Sequence, residues 1–339
     1  MLKNNQKTNS NQRDTIPKGT RIGDFEFIQL IGEGGYGKIY DIVKIGFDDH
    51  YAIKIEDLST HKIGLQREIR ILKECQVPYK FPQFIESGIT ADFRFLIMEL
   101  LGPSLSQISR FLPERSFSKY TVLHVGIHMI ECIRTLHSKG YVHRDIKPSN
   151  FLVRPDRHNP ICLIDFGLAR KYISETGEMK PPRNKPGYTG TLRYASINAH
   201  EENELSRKDD LISWFYTMIE LSTGSLPWPG SDDKLKTIKI KKNIQAQELC
   251  KSMVPEFTEI YNMISSLNFE DEPNYDGIID LLKLSINNQN FVLHMYDWER
   301  LNRNDIAKIS VIPLDMKGAP SSETEKDHDL NENRCCNIF

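Results

Sequence analysis

Hydrophobic positions recur at two different periods along this chain, and the change of period divides it. Between Asp24 and Met98 the runs FEFIQLI, KIYDIVKI, YAIKIE and FRFLIME are rich in β-branched and aromatic residues and read as strands. One stretch among them, about His61 to Cys75, instead spaces Leu65, Ile69 and Leu72 for a single helix face. Beyond ELLGPSL the helical period takes over. Val122, Val125, Met129, Ile133 and Leu136 line one face of a predicted helix, and Gly140 stands where it would stop. A further helix is expected after Asp210, with Leu211, Trp214, Phe215 and Met218 turned inward. The pattern predicts an α+β chain: a small β-rich unit over residues 23–98, joined near Glu99–Pro103 to a larger α-rich unit over residues 99–312. Residues 1–22 and 313–339 are polar and read as a disordered arm and a flexible tail.

Composition narrows the class without naming it. The 339 residues suffice for one large domain or two joined ones, and 39% hydrophobic with 27% charged residues is ordinary for a globular protein. A net charge of -2 supplies no basic field, so a nucleic-acid partner is not expected. Of the six cysteines, Cys75, Cys132, Cys162 and Cys250 sit singly in apolar surroundings, which fits free thiols in a reducing, cytoplasmic setting. No run of about 18 apolar residues exists to span a membrane. The polar N-terminus has no signal-peptide pattern, and position 2 lacks the glycine that myristoylation requires.

Three short segments carry chemistry. In IGEGGYGKIY, Gly32, Gly34 and Gly37 form a G-x-G-x-x-G pattern between two strand-like runs. Dinucleotide-binding folds share that spacing but open a helix with it; here it is either an ordinary glycine hairpin or a turn pressing its N–H groups onto phosphates. In YAIKIE, Lys54 alternates with Ile53 and Ile55, so it is either a solvated strand lysine or a cation for phosphates, with Glu68 as its candidate partner. YVHRDIKPSN and LIDFGLAR then supply Asp145, Lys147, Asn150 and Asp165. Asp145 can accept a hydroxyl proton, Lys147 can offset phosphoryl charge, and Asn150 and Asp165 offer the few hard oxygens that suit Mg²⁺. H-R-D-x-K-x-x-N followed by D-F-G is very improbable by chance.

With these motifs, the sequence from about Gly23 to about Leu301 resembles the eukaryotic protein kinase family. The resemblance implies a bilobal fold and transfer of the ATP γ-phosphoryl to a protein hydroxyl, stabilised mainly by positioning and electrostatics. It also implies that Asp145, Lys147, Asn150 and Asp165 are catalytic, with Asn150 and Asp165 holding Mg²⁺. The implied nucleotide-binding set is Ile31, Gly32, Gly34, Gly37, Ile39, Ala52, Lys54, Glu68, Met98, Glu99, Leu101 and Leu152. Met98 to Leu101 would form the hinge, with Met98 limiting the depth of the adenine pocket. His143 and Arg144 are expected to be mainly structural. The competing reading is a pseudokinase scaffold, against which stands the intact set of Lys54, Glu68, Asp145, Asn150 and Asp165.

Where most protein kinases carry Ala-Pro-Glu, this chain has Ala195-Ser196-Ile197-Asn198. That segment, with ELLGPSL, SRKDDL, GSLPW and MYDWERL, resembles the casein kinase 1 group. The run TGEMKPPRNKPGYTGTLRYASINAH is most similar to its tau-tubulin kinase branch, although Gly35-Tyr36 and Thr189 depart from the usual pattern, so neither tau nor tubulin follows as substrate. By this resemblance Asp210 anchors the catalytic loop, and Arg193 binds an anion beside the substrate groove, favouring acidic or phosphorylated protein substrates. A planar guanidinium suits two phosphate oxygens, and Arg183, Lys185 and the lysines of 234–242 would add to the field. The alternative is a structural Arg193 paired with an internal carboxylate.

Other features receive plainer expectations. His124 and His128 lack the glutamate of H-E-x-x-H and read as structural or surface residues. The run Lys234–Lys242 reads as a solvated helix face. The ending RCCNIF offers Cys336 for prenylation and Cys335 for palmitate, two signals that together could attach the chain to a membrane surface, or else two incidental cysteines. The chain is expected to act as a monomer.

Overall fold

The computed structural model describes residues 15–34, 37–60, 63–229, 233–312 and 314. The strand-like half makes β1 (Arg21–Ile22), β2 (Phe25–Gly34), β3 (Gly37–Lys44) and β4 (His50–Asp57), then α1 (Gly64–Glu74), β5 (Phe84–Ile89) and β6 (Phe93–Glu99). The strands form one antiparallel sheet in the order β1-β2-β3-β4-β6-β5. Side-chain alternation gives this sheet two different faces. Phe25, Phe27, Tyr40, Ile42, Ile53, Ile55, Phe95 and Ile97 make a separate apolar cluster on one of them. Ala52, Leu96 and Met98 join Leu65 and Leu72 of α1 in the main core. Lys54 lies on that second face and is only 5% exposed, so the solvated-strand reading fails. A period-2 pattern marks two faces, but it cannot say that a helix covers the polar one.

The span read as an arm contains β1, and the Ile16 N–H donates to the Tyr40 hydroxyl at 3.1 Å. Residues 1–14 lie outside the described residues, as do Gly35 and Tyr36 of the glycine hairpin and the CCNIF terminus.

The rest is helical around short strand pairs. α2 (Leu105–Ser109) and α3 (Lys119–Ser138) precede β7 (Tyr141–Val142), β8 (Phe151–Val153), β9 (Ile161–Leu163) and β10 (Arg170–Lys171). Then follow α4 (Ile197–His200), α5 (Arg207–Thr223), α6 (Lys234–Asn243), α7 (Ala246–Leu249), α8 (Glu256–Ser265), α9 (Tyr275–Asn287) and α10 (Arg303–Ala307). α3 buries Val122, Val125, Met129, Ile133 and Leu136 as its period predicts, and Gly140 follows with φ 82°. α5 begins earlier than expected, because Ser206 and Asp209 form a capping box at its start. Leu211, Trp214, Phe215 and Met218 are all fully buried there, at the centre of the main core. This is a β-sheet lobe on a helical lobe, the bilobal α+β arrangement. No helix among the described residues is long and apolar enough to cross a membrane.

Candidate active site

The glycine segment turns between β2 and β3, with Gly34 opposite Gly37 in register. Gly37 has φ 118°, and a Cβ there would sit 2.0 Å from the Ile55 carbonyl oxygen, so no larger residue fits without moving β4. On β4 the Lys54 ammonium donates to Glu68 Oε2 of α1 at 2.6 Å and to Asp165 Oδ1 at 3.1 Å. Burial by itself would lower the Lys54 pKa, but the Glu68 and Asp165 carboxylates outweigh it and raise it. Burial likewise lifts Glu68, while the Lys54 charge keeps Asp165 below its ordinary range against its own burial. One buried cation therefore ties the sheet, α1 and the D-F-G segment together.

The catalytic loop is suspended from α5. Asp210, at 1% exposure, accepts the His143 N–H at 2.6 Å, the Arg144 N–H at 2.7 Å and a contact of 2.9 Å from His137 Nε2. Burial would raise the Asp210 pKa, but the His137 hydrogen bond and the nearby histidines bring it below its ordinary value. This anchoring holds Arg144 at φ 68°, a left-handed conformation that costs a non-glycine residue energy. The Asp145 N–H in turn meets His143 Nδ1 at 3.3 Å. His143 and Arg144 thus act structurally, as the resemblance implied, and His137 is an anchor the sequence did not reveal.

At the centre, Lys147 Nζ donates to Asp145 Oδ2 at 2.6 Å and to Thr191 Oγ1 at 2.9 Å, while the Thr191 hydroxyl donates to Asp145 Oδ1 at 2.7 Å. Asp145 therefore already accepts a hydrogen bond from a hydroxyl, the contact a hydroxyl substrate needs. Thr191 escaped sequence analysis because a lone threonine within GTLRYASINAH carries no motif. Asn150 spends its amide N–H on the Asp145 carbonyl at 2.8 Å, which leaves its side-chain oxygen as an acceptor. With Asp165 it offers hard oxygen ligands, a set that fits Mg²⁺ supplemented by phosphate oxygens. Asp165 has φ 66°, so the D-F-G segment starts from a left-handed residue.

A cleft of about 460 Å³ runs between the lobes, walled by Ile31, Gly32, Ile39, Ala52, Met98, Glu99, Leu101 and Leu152. All eight were in the sequence-derived nucleotide set; Gly34, Gly37, Lys54 and Glu68 lie outside this wall, on the hairpin and at the Lys54 cluster. The Glu99 N–H is committed to the Gln83 carbonyl at 2.9 Å and its carboxylate to Arg154 at 2.8 Å. Five further residues, 307 to 311, lie outside that set and complete the wall.

The proposed anion residues meet different partners. Arg193 Nε donates to Glu220 Oε1 at 2.6 Å, the internal-carboxylate pairing held open above, and Tyr194 also hydrogen-bonds Glu220. Arg183 is taken by Glu204, with Nη2–Oε1 at 3.0 Å, and Lys185 is exposed at φ 46°. The basic run of α6 is not a uniformly solvated face: Lys241 is 3% exposed and donates to the Leu192 and Ala195 carbonyls at 3.0 and 2.7 Å. Burial and then the Arg193 charge push its pKa down to about 7. His124 is half-buried against Tyr120, with ring centroids 4.2 Å apart, and burial lowers it to about 4.

Comparison with known proteins places these features in context. A family model described as "Protein kinase domain" matches residues 25–310. A probable serine/threonine-protein kinase of Dictyostelium discoideum is 39% identical over 262 residues, covering 77% of this chain and 53% of that relative. The chain thus spans about half the length of the curated relative it matches. A cleft between the lobes, a buried lysine held by two carboxylates and an aspartate on a loop suspended from α5 converge with that match: this chain belongs to the protein kinase domain family.

Proposed function

We propose that the chain is an active serine/threonine kinase of the casein kinase 1 group, transferring the ATP γ-phosphoryl to protein hydroxyls. The observation that carries this reading is the closed Asp145–Lys147–Thr191 arrangement, in which the carboxylate accepts a hydroxyl while an ammonium waits at its other oxygen. Asp145 orients the incoming hydroxyl and takes its proton, and Lys147 offsets charge on the phosphoryl in transit. Lys54 fits the α- and β-phosphates, positioned by Glu68. Mg²⁺ held by Asn150 and Asp165 would neutralise phosphate charge when bound. The test is radiolabelled ATP with a degenerate peptide library, wild type beside Asp145→Asn. Labelling of serine or threonine that disappears in the variant is expected; labelling that survives removes Asp145 as the base. No labelling by wild type would favour the pseudokinase reading.

The group assignment is supported by what ASIN does. Ser196 caps α4, and its hydroxyl donates to Asp209 Oδ1 at 2.6 Å, with the Asn198 amide at 3.1 Å from the same oxygen. These contacts lock the segment to the start of α5, which gives Ser and Asn a use that Ala-Pro-Glu could not reproduce. Within that group the tau-tubulin branch is our reading, resting on residues 176–200.

Acidic or phosphorylated proteins are the proposed substrates. Glu220 accepts from Arg193 Nε, the guanidinium carries further N–H donors that suit an oxyanion, and the buried Lys241 charge lies close enough to repel it. An incoming anion relieves that repulsion. For Arg193→Ala we expect kcat/KM on a phosphorylated or acidic peptide to fall about ten-fold, with a neutral peptide changed less than about two-fold. Equal losses on both peptides would leave Arg193 a purely structural partner of Glu220. Cytoplasmic location, monomeric action and attachment through Cys336 and Cys335 remain proposals from sequence, and intact-mass measurement of the C-terminus from eukaryotic cells tests the last.

A further inference from the structure

We propose that Arg303–Ile312, with Leu314, is a working wall of the nucleotide cleft that tightens ATP binding. The inference rests on reading that cleft as the ATP site. Ala307, Ile309, Ser310 and Val311 face the same space as Met98, Leu101 and Leu152. The segment is built rather than merely adjacent. Asn302 caps α10 by accepting the Asp305 N–H at 2.8 Å, and the Ile309 and Ser310 N–H groups both return to the Ile306 carbonyl at 2.9 Å. Ile306 and Ile309 pack on the main core.

Its far end is seated on the hinge itself. Leu314 is 6% exposed, and a Cβ built on Gly102 would lie 2.8 Å from its Cδ2. The same Cβ would lie 2.8 Å from the Val153 carbonyl oxygen, so the hinge glycine is pressed between β8 and the strap. Val311 and Ile312 also share a depression with His50 and Tyr51 at the start of β4. The described strap residues therefore meet the main core at Ile306 and Ile309, the start of β4 at Val311 and Ile312, and Gly102 at Leu314.

Because the strap lines the cleft rather than filling it, about 460 Å³ stays open, within the size range of small-ligand sites. A wall there takes additional nucleotide surface out of water and steadies the hinge that would hold the adenine.

The test uses the full chain with two substitutions. Leu314→Asp places a charge in the buried seat and detaches the strap; Val311→Gly trims the wall at a residue already 37% exposed, so it threatens the fold less. Binding of ATP–Mg²⁺ and of adenosine is measured by calorimetry, alongside KM for ATP and for peptide. Leu314→Asp should weaken both ligands about five-fold or more and Val311→Gly about two-fold, with the peptide KM unmoved. Unchanged affinity in both variants overturns the strap while leaving the kinase reading intact. Tighter ATP binding or faster turnover in either variant also overturns it, by making the strap an inhibitory plug. A wild type that binds neither ligand overturns the reading of the cleft and this inference together.

Discussion

Replacing Lys54 with methionine should lower kcat/KM for ATP by about 10²–10³-fold, the usual loss when a preorganised donor to developing charge is removed. The same change strands two carboxylates, because Glu68 and Asp165 lose the ammonium that stands 2.6 and 3.1 Å away. Breaking a buried pair by removing one partner costs about 3–5 kcal/mol. That loss depends on pH with a definite sign. Without Lys54 the two carboxyls titrate above their unfolded values, so the folded variant binds more protons than the unfolded chain. Such groups contribute stability that is present below the unfolded pKa and lost as pH rises through the folded one. The gap in Tm between wild type and Lys54→Met should therefore be wider at pH 8 than at pH 5. A gap independent of pH would mean that the carboxylates are not stranded, and that the cluster is not the joint described here.

The second large effect is expected at Asp210, whose carboxylate holds the His143 and Arg144 backbone and His137. Asp210→Asn keeps one oxygen but turns an amide N–H toward donors, since both side-chain oxygens now accept: Oδ1 from Arg144, Oδ2 from His143 and in contact with His137. A charge-assisted hydrogen bond is worth about 1.5–3 kcal/mol, and a donor facing a donor adds a desolvation cost. The strained Arg144 backbone should relax and carry Asp145 with it. We expect kcat to fall by about 10²-fold with little change in KM for ATP, and a lowered Tm. The anchor also has a wild-type pH signature. Its folded pKa is depressed, so its stabilisation is present above the unfolded pKa and lost as pH falls through the folded value. A variant that keeps wild-type kcat would show that the loop holds its shape without this carboxylate.

Much of this was legible in the sequence for a local reason. G-x-G-x-x-G, H-R-D-x-K-x-x-N and D-F-G are each contiguous, and although the glycine pattern alone is ambiguous, the ordered co-occurrence of the other two identifies them. The α3 face was equally readable, because Val122 to Leu136 follow one helical period. Asp210 came from resemblance rather than pattern, and the structure supplied the hydrogen bonds that explain it. The start of α5 was misplaced because a capping box depends on two side chains, Ser206 and Asp209, that no hydrophobic period registers.

What sequence by itself determined is the family of chemistry and the identity of its principal groups, since these are written in short segments whose geometry is local. Tertiary structure decided which polar residues those segments would meet. Lys54 finds Asp165 across 111 residues, Thr191 closes on Asp145 across 46, and Lys241 disappears beneath the Arg193 segment although its neighbours are solvated. Residues 307–311 became part of the cleft only because this part of the chain folds back, with Leu314 against Gly102. In each case the deciding quantity is burial by a distant segment, and burial sets the strength of every charge and hydrogen bond involved. A linear pattern carries the period of a chain but not what comes to cover it.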